Sequence, residues 1–223
     1  MDPNKNVAGL RVAMVTGASG DIGSAVVRRL AAGGWKVAGV DLSDTPADFS
    51  LRVDVTDRVA MVKAAREISE KLGPIELLVT AAGDYKKAPI GEMAISRWQR
   101  MLDVWLGGTA NACAAVAPSM VGSGDGTVIV LSADLRCGGR GNAYVAAASG
   151  TLAAFVKSFG CEVAADGVRV NCLAVPPPAN PAWVAETVSF LADQGQYYAG
   201  QVIFLNSEFE RKRGGTQCPA ETG

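Results

Sequence analysis

The side chains available for acid–base chemistry are restricted, because the 223-residue chain contains no histidine. Ser-His-Asp and Cys-His catalysis and any histidine-ligated metal site are therefore excluded, and Tyr, Lys, Asp, Glu and Cys remain. The five cysteines form no C-x-x-C pair, a pattern typical of reduced thiols in the cytoplasm and not of a disulfide framework. We predict a cytoplasmic location and no metal site.

A glycine-rich turn near the start of the chain is the strongest candidate for ligand binding. Gly17, Gly20 and Gly23 fall in the pattern T-G-x-x-G-x-x-G, between the apolar run 12–15 and a helical pattern that begins at Ile22. Such glycines permit a tight turn, let backbone N–H groups approach a pyrophosphate, and let the helix pack closely on the strand. The positive helix N-terminus would face the phosphates. The alternative is a turn that binds nothing.

Asp41 is the second candidate for cofactor binding. It follows the apolar run 37–40 and lies eighteen residues after Gly23, close to the spacing at which a carboxylate meets the adenosine ribose hydroxyls. A carboxylate there would repel a 2′-phosphate, so we expect NAD and not NADP. The alternative is a strand-end aspartate that caps a turn, because Ser43, Asp44 and Pro46 follow.

Composition limits the other partners. The net charge is −1 and no basic stripe is present, so we expect no nucleic-acid partner. No apolar segment is long enough to span a bilayer, and the first ten residues do not resemble a signal peptide, so we expect no membrane partner. We predict a single domain over residues 1–210, followed by a charged tail at 211–223 that begins with a basic run.

Apolar runs of strand length alternate with helical patterns along the whole chain. We predict strands at 12–15, 37–40, 49–53, 75–80, 127–131, 168–173 and 201–205, and helices from Ile22 onward, at 57–72, at 96–118 with Ser96 as the cap, at 142–165 and at 181–192. Strands separated by helices indicate a parallel sheet with helices on both faces. The predicted fold is therefore α/β, a Rossmann-type doubly wound sheet of about seven strands.

The chain resembles a short-chain dehydrogenase/reductase from about Leu10 to Phe209. The resemblance rests on TGASGDIG at 16–23, TAAG at 80–83, RVNCLA at 169–174 and GQVIFLN at 200–206, and on Tyr144, which begins the helix that carries the family's catalytic tyrosine. It implies NAD as the cofactor and assigns cofactor binding to Gly17, Ser19, Gly20, Asp21, Ile22, Gly23, Asp41, Asp54, Val55, Ala81, Ala82 and Gly83.

The active site that the resemblance implies is a tetrad of Asn, Ser, Tyr and Lys, and three of the four are missing. Trp105 stands at the Asn position, Ala133 at the Ser position and Ala148 at the Lys position, four residues after Tyr144. Ser132 is one residue early, so its side chain should point to the other face of the strand.

Tyr144 is therefore either a remnant of a catalytic site or a core aromatic residue. A free tyrosine has a pKa near 10, so only about one in a thousand is ionised at pH 7. A nearby cation lowers that pKa. Arg136 and Arg140 precede Tyr144 and could substitute for the lysine, whereas Lys157 is more than three helical turns away.

Two further departures from the family concern the cofactor turn and the substrate lid. Asp21 places a carboxylate at the helix N-terminus, where it stabilises the helix and opposes a pyrophosphate. The sequence AVPPPANPAW at 174–183 runs directly into the last predicted helix, so the usual lid over the substrate is absent.

We predict a non-catalytic subunit that pairs with a complete homologous subunit, as a homo- or hetero-oligomer. A small-molecule substrate would then occupy the partner's site. The alternative is an active NAD(H)-dependent oxidoreductase in which Tyr144 works with an unusual partner such as Arg140. A third hypothesis is a regulatory protein that senses NAD(H) by binding alone.

Overall fold

The computed structural model describes residues 11–135 and 138–205. In that part of the chain, seven parallel strands form one sheet in the order β3-β2-β1-β4-β5-β6-β7. The strands are β1 Val12–Thr16, β2 Lys36–Asp41, β3 Phe49–Arg52, β4 Ile75–Thr80, β5 Gly126–Ala133, β6 Val168–Val175 and β7 Val202–Phe204. The predicted doubly wound α/β fold is confirmed. The predicted tail at 211–223 lies outside the described residues, as does Asn206 of the last matching motif.

Helices cover both faces of the sheet. They are α1 Asp21–Ala32, α2 Arg58–Leu72, α3 Ile95–Leu102, α4 Gly108–Ser123, α5 Ala143–Val163 and α6 Pro181–Gln194. A π-helical turn, Asp103–Gly107, joins α3 to α4, and a 3-10 turn, Ala164–Asp166, follows α5. The chain reverses its direction across the sheet between β1 and β4, and ligands of such sheets bind at this point, beyond the carboxyl ends of the strands.

The core has two layers because each strand is buried on both faces. In β1, Val12 and Met14 pack toward α2, α4 and α5, whereas Ala13 and Val15 pack toward α1 and α6. A strand buried on both faces is a continuous apolar run, and this is the pattern in the sequence of β1.

The prediction of a helix at 96–118 is wrong at both ends. Ala94 is the N-cap residue of α3, so Ser96 lies inside the helix, and α4 continues through Pro118 as far as Ser123. A proline inside a helix removes one backbone hydrogen bond. Here Val116 and Met120 are buried on either side of Pro118, and this packing against the sheet maintains the helix.

Gly23→Ala tests the close packing of α1 on the glycine turn. A Cβ at Gly23 would lie 2.0 Å from the Gly17 carbonyl oxygen, so we expect the free energy of unfolding in urea to fall by about 1–3 kcal/mol. The control is Gly122→Ala in α4, where an added Cβ would meet no atom within 4 Å beyond the neighbouring backbone of its own helix, and alanine should raise stability slightly. Equal stability of Gly23→Ala and the unaltered protein would contradict this packing.

Candidate functional site

Two adjoining cavities lie beyond the carboxyl ends of the strands and share Ala81, Ala82 and Gly83. The carboxylate cavity, of about 380 Å³, contains Asp41, Asp54 and Asp84 in its wall. The proline cavity, of about 440 Å³, contains prolines 176–178 in its wall. Most of the predicted cofactor residues line the carboxylate cavity, namely Gly17, Ser19, Gly20, Asp41, Asp54, Val55, Ala81, Ala82 and Gly83. Ile22 lines the proline cavity, and Asp21 and Gly23 line neither.

The glycine turn lies directly against the end of β4. Gly17 has a positive φ of 66°, and a Cβ there would lie 2.5 Å from the Ala82 backbone nitrogen. Only glycine is compatible with both constraints. Gly20 is the N-cap residue of α1 and provides no side-chain hydrogen bond to the helix, so the first backbone N–H groups of α1 remain free of a side-chain cap.

Asp41 is held by backbone N–H groups on both carboxylate oxygens. Its Oδ2 accepts a hydrogen bond from the Ser19 N–H at 3.0 Å, and its Oδ1 accepts from the Leu42 N–H at 2.7 Å. The two interpretations of Asp41 are therefore compatible, because the residue caps its own turn and also lines the carboxylate cavity. The result is a fixed negative charge at the edge of that cavity.

Asp54 is the second fixed carboxylate of this cavity. Its Oδ1 accepts hydrogen bonds from the Thr56 N–H at 2.9 Å and the Thr56 hydroxyl at 2.7 Å, and its Oδ2 accepts from Arg100 at 3.0 Å. The Thr56 N–H, followed by the Thr56 hydroxyl and Arg100, holds the pKa of Asp54 below its ordinary value. Asp54 is therefore ionised at neutral pH.

Arg100 is a residue of the cavity wall that sequence reasoning missed. It lies on α3, and its contact with Asp54 spans 46 residues of sequence. No local motif marks it, since only the packing of α3 beside the loop after β3 brings the guanidinium to the carboxylate.

The proline cavity has mainly apolar walls. Its polar side chains are Tyr85, Lys87, Trp105 and Ser132. The Tyr85 hydroxyl donates to Asn142 Oδ1 at 3.1 Å, and burial raises the pKa of Tyr85 above its ordinary value. Trp105 is only 7% exposed, and its Nε1 has no hydrogen-bond partner among the described residues.

Tyr144 is packed as a core aromatic residue. It is 6% exposed, its hydroxyl donates to the Ile90 carbonyl oxygen, and its ring meets Trp98 edge to face with centroids 5.5 Å apart. It is not among the residues that line either cavity. Arg140 is exposed and lines neither cavity, and Arg136 lies outside the described residues.

The other tetrad positions provide no ionisable side chain. Ala133 lines the proline cavity, and Ala148 is fully buried. Ser132 lines the same cavity as Ala133, although its Oγ also lies 3.5 Å from the Ser149 carbonyl oxygen beneath α5. Ser132 and Ala133 therefore both border the proline cavity, although they are neighbours at the end of β5.

The buried thiols are not nucleophiles at neutral pH. Burial raises the pKa of Cys113 and of Cys172 to about 12 each, so both remain protonated. Among the described residues, no cluster of three or more Cys, Asp and Glu side chains could hold a metal ion. In the same part of the chain, no helix has the length and apolar character needed to cross a membrane.

The connection from β6 to α6 consists of residues 176–180 alone. Three prolines of this connection line the proline cavity directly. A short proline-rich segment therefore stands where the family resemblance implies a substrate lid.

The short chain dehydrogenase family matches this chain over residues 11–187, and the chain belongs to that family. It is 34% identical to the short-chain reductase protein NovJ of Streptomyces niveus, covering 76% of this chain and 70% of NovJ. It is 28% identical to the cis-4-hydroxycyclohexanecarboxylate dehydrogenase of Sinomonas cyclohexanicum, and the match covers 89% of this chain and 96% of that enzyme. The solved structure of a double mutant of a Serratia marcescens short-chain dehydrogenase/reductase superimposes with a TM-score of 0.81 at 25% identity. The match covers 89% of this chain and 97% of that chain. This is an oxidoreductase family whose members generally use NAD or NADP.

Tyr144→Phe tests the structural role of the tyrosine hydroxyl. Loss of its hydrogen bond to the Ile90 carbonyl should lower the free energy of unfolding by about 1 kcal/mol, measured by urea denaturation. The control is Tyr197→Phe, because Tyr197 is 89% exposed and should not change stability. If both substitutions changed the free energy of unfolding equally, the hydrogen bond of Tyr144 would contribute nothing to stability.

Proposed function

We propose that this chain is the non-catalytic subunit of an NAD-dependent short-chain dehydrogenase/reductase, which binds NAD(H) and pairs with a complete homologous subunit. One observation carries the proposal. The Tyr144 hydroxyl is hydrogen-bonded to a backbone carbonyl outside both cavities, whereas Gly17, Asp41 and Asp54 line the carboxylate cavity.

The acid–base groups near the cleft do not replace the missing tetrad. Efficient proton transfer needs a group with a pKa near the working pH. Tyr85 borders the proline cavity, but burial raises its pKa and its proton is donated to Asn142. Lys87 borders the same cavity at an exposed position, and none of the described residues holds it by a hydrogen bond or ion pair.

The carboxylate cavity suits the adenosine half of NAD. The glycine turn leaves the N-terminus of α1 without a side-chain cap, and Asp41 could accept hydrogen bonds from ribose hydroxyls. Among the described residues, three carboxylates border this cavity, and the one cation there, Arg100, already pairs with Asp54. A 2′-phosphate would therefore meet net negative charge, which favours NAD over NADP.

The surface of α5 supports pairing with a second subunit. Ala143, Ala147, Gly150 and Ala154 are exposed on successive turns of this helix, so a partner helix could approach its backbone closely. The edge strand β7 is a second candidate contact, since it is the last strand of the described sheet and includes the exposed Phe204.

The alternative function is that of an active NAD(H)-dependent oxidoreductase. The names of its relatives, which are reductases and dehydrogenases, favour this alternative. It requires the Tyr144 hydroxyl to break its hydrogen bond to the Ile90 carbonyl and to lie beside a cation such as Arg140. Turnover measurements on the purified chain separate the two proposals.

The cofactor preference is tested by titration. We expect NADH to bind more tightly than NADPH, and Asp41→Ala to remove at least part of this preference. The matched control is Asp44→Ala, because Asp44 is exposed, pairs with Arg52 and lines no described cavity. Tighter binding of NADPH by the unaltered chain would refute the preference.

If the chain binds neither NADH nor NADPH, a substitution at the N-terminus of α1 tests the reason. The carboxylate of Asp21 lies in the first turn of α1, where it opposes a pyrophosphate. Asp21→Gly should then restore measurable NADH binding. If it restores none, the cofactor part of the proposal is wrong.

The non-catalytic assignment is tested by turnover. The purified chain should reduce or oxidise no member of a panel of ketones and alcohols, and Ala148→Lys alone should not restore activity, because tetrad members act as a unit. In a complex with a catalytic homologue, Tyr144→Phe should leave turnover unchanged. A loss of about a hundredfold or more in an intact complex would make Tyr144 a working acid–base group and support the alternative.

A further inference from the structure

The connection between β4 and α3 is long and irregular. β4 ends at Thr80 and α3 begins at Ile95, and residues 81–94 between them form neither helix nor strand, with one turn at 90–92. Irregular connections longer than about 12–15 residues are uncommon in compact domains, and long ones usually serve as lids or binding loops. Residues 81–83 are the wall that both cavities share, and we call the remainder, residues 84–94, the 84–94 segment.

Little of the 84–94 segment is buried. Among its residues, all of which the structure describes, Met93 is the one buried side chain, and Ile90 is 70% exposed. A segment with few buried apolar contacts has low local stability and can open while the rest of the domain stays folded. The segment also borders the cleft, because Asp84 lines the carboxylate cavity and Tyr85 and Lys87 line the proline cavity. Its opening would therefore remove side chains from the walls of both cavities.

Two hydrogen bonds attach the 84–94 segment to the residues that precede α5. The Tyr85 hydroxyl donates to Asn142 Oδ1 at 3.1 Å, and the Ala88 N–H donates to the Gly141 carbonyl oxygen at 2.9 Å. Asn142 is the N-cap residue of α5, yet its side chain makes no capping hydrogen bond to the helix. The side-chain oxygen of Asn142 therefore holds the segment and does not cap α5.

A third hydrogen bond comes from α5 itself. The Tyr144 hydroxyl donates to the carbonyl oxygen of Ile90, at the turn of the 84–94 segment. The Tyr144 ring is buried and packs edge to face on Trp98, so its hydroxyl has a fixed position. The Ile90 side chain, in contrast, is mostly exposed, so this part of the segment is held by a backbone hydrogen bond more than by packing.

We propose that the 84–94 segment is a lid of the cleft that opens and closes, and that the Tyr144 hydroxyl stabilises its closed position. The closed lid has three hydrogen bonds to α5 and to the residues before it. Tyr144 then positions a lid by donating its proton to a carbonyl oxygen, and it transfers no proton to a substrate. This inference goes beyond the proposed function, because it requires neither a bound dinucleotide nor a partner subunit.

Limited proteolysis of the full chain with trypsin tests the opening of the lid, because Lys86 and Lys87 are exposed within it. A protease needs an extended stretch of chain and therefore cuts the open lid. When opening and closing are fast, the cleavage rate follows the population of the open form. Tyr144→Phe removes one hydrogen bond of the closed lid, so we expect cleavage after these lysines to be about fivefold faster. Tyr85→Phe should have a similar effect, and Tyr197→Phe, at an 89% exposed residue outside the lid, should have none.

A core substitution on the other face of the sheet separates opening of the lid from unfolding of the whole domain. Val188 is fully buried in α6, on the face opposite α5, so Val188→Ala lowers the stability of the fold without removing a contact of the lid. We expect it to accelerate cleavage after Lys63 and Arg66 in α2 and to leave cleavage after Lys86 and Lys87 unchanged. Mass spectrometry of the fragments assigns the sites, and circular dichroism establishes that each variant is folded.

Two results would overturn the proposal. One is an unchanged rate of cleavage after Lys86 and Lys87 in Tyr144→Phe, which would mean that the hydroxyl does not hold the segment. The other is equal acceleration by Val188→Ala at these two lysines and at the α2 sites, which would mean that the segment opens only when the whole domain unfolds.

Discussion

The close backbone contact at the glycine turn is the constraint on which the rest of the cleft depends. Gly17 meets the backbone of Ala81 and Ala82 at the end of β4, and Gly23 places α1 directly on the Gly17 carbonyl. Side chains at either position would separate β1, α1 and β4 at the point where the chain reverses across the sheet. Because the wall shared by both cavities is the segment 81–83, its position follows from this contact.

The segment 81–83 separates two halves of the cleft that differ in charge. On one side, Asp41 and Asp54 are held by backbone and side-chain donors, so their charges are fixed in position. On the other side, the wall is mainly apolar, and no carboxylate is among its described residues. Fixed carboxylates can accept hydrogen bonds from hydroxyl groups, whereas an apolar wall offers contacts to apolar groups. The two halves therefore differ in charge and polarity although they form one cleft.

The residues at the tetrad positions are consistent with one another. Ala148 leaves no cation on α5 near Tyr144, and the tyrosine hydroxyl is satisfied by the Ile90 carbonyl instead. Trp98 packs on the tyrosine ring, and Trp105, on the π-helical turn that joins α3 to α4, borders the cavity. Aromatic and aliphatic side chains therefore occupy positions at which the family resemblance implies polar ones.

The sequence by itself determined the fold, because apolar runs and glycine spacing are local signals that the backbone obeys wherever they occur. It also identified the turn around Gly17, Asp41 and the three tetrad positions that lack the family's residues. Tertiary structure alone decided the rest: the pairing of Arg100 with Asp54, the path of α4 through Pro118, and the orientation of the Tyr144 hydroxyl toward Ile90. Each of these depends on contacts between segments distant in sequence or on packing against the sheet, and no local pattern encodes such a contact.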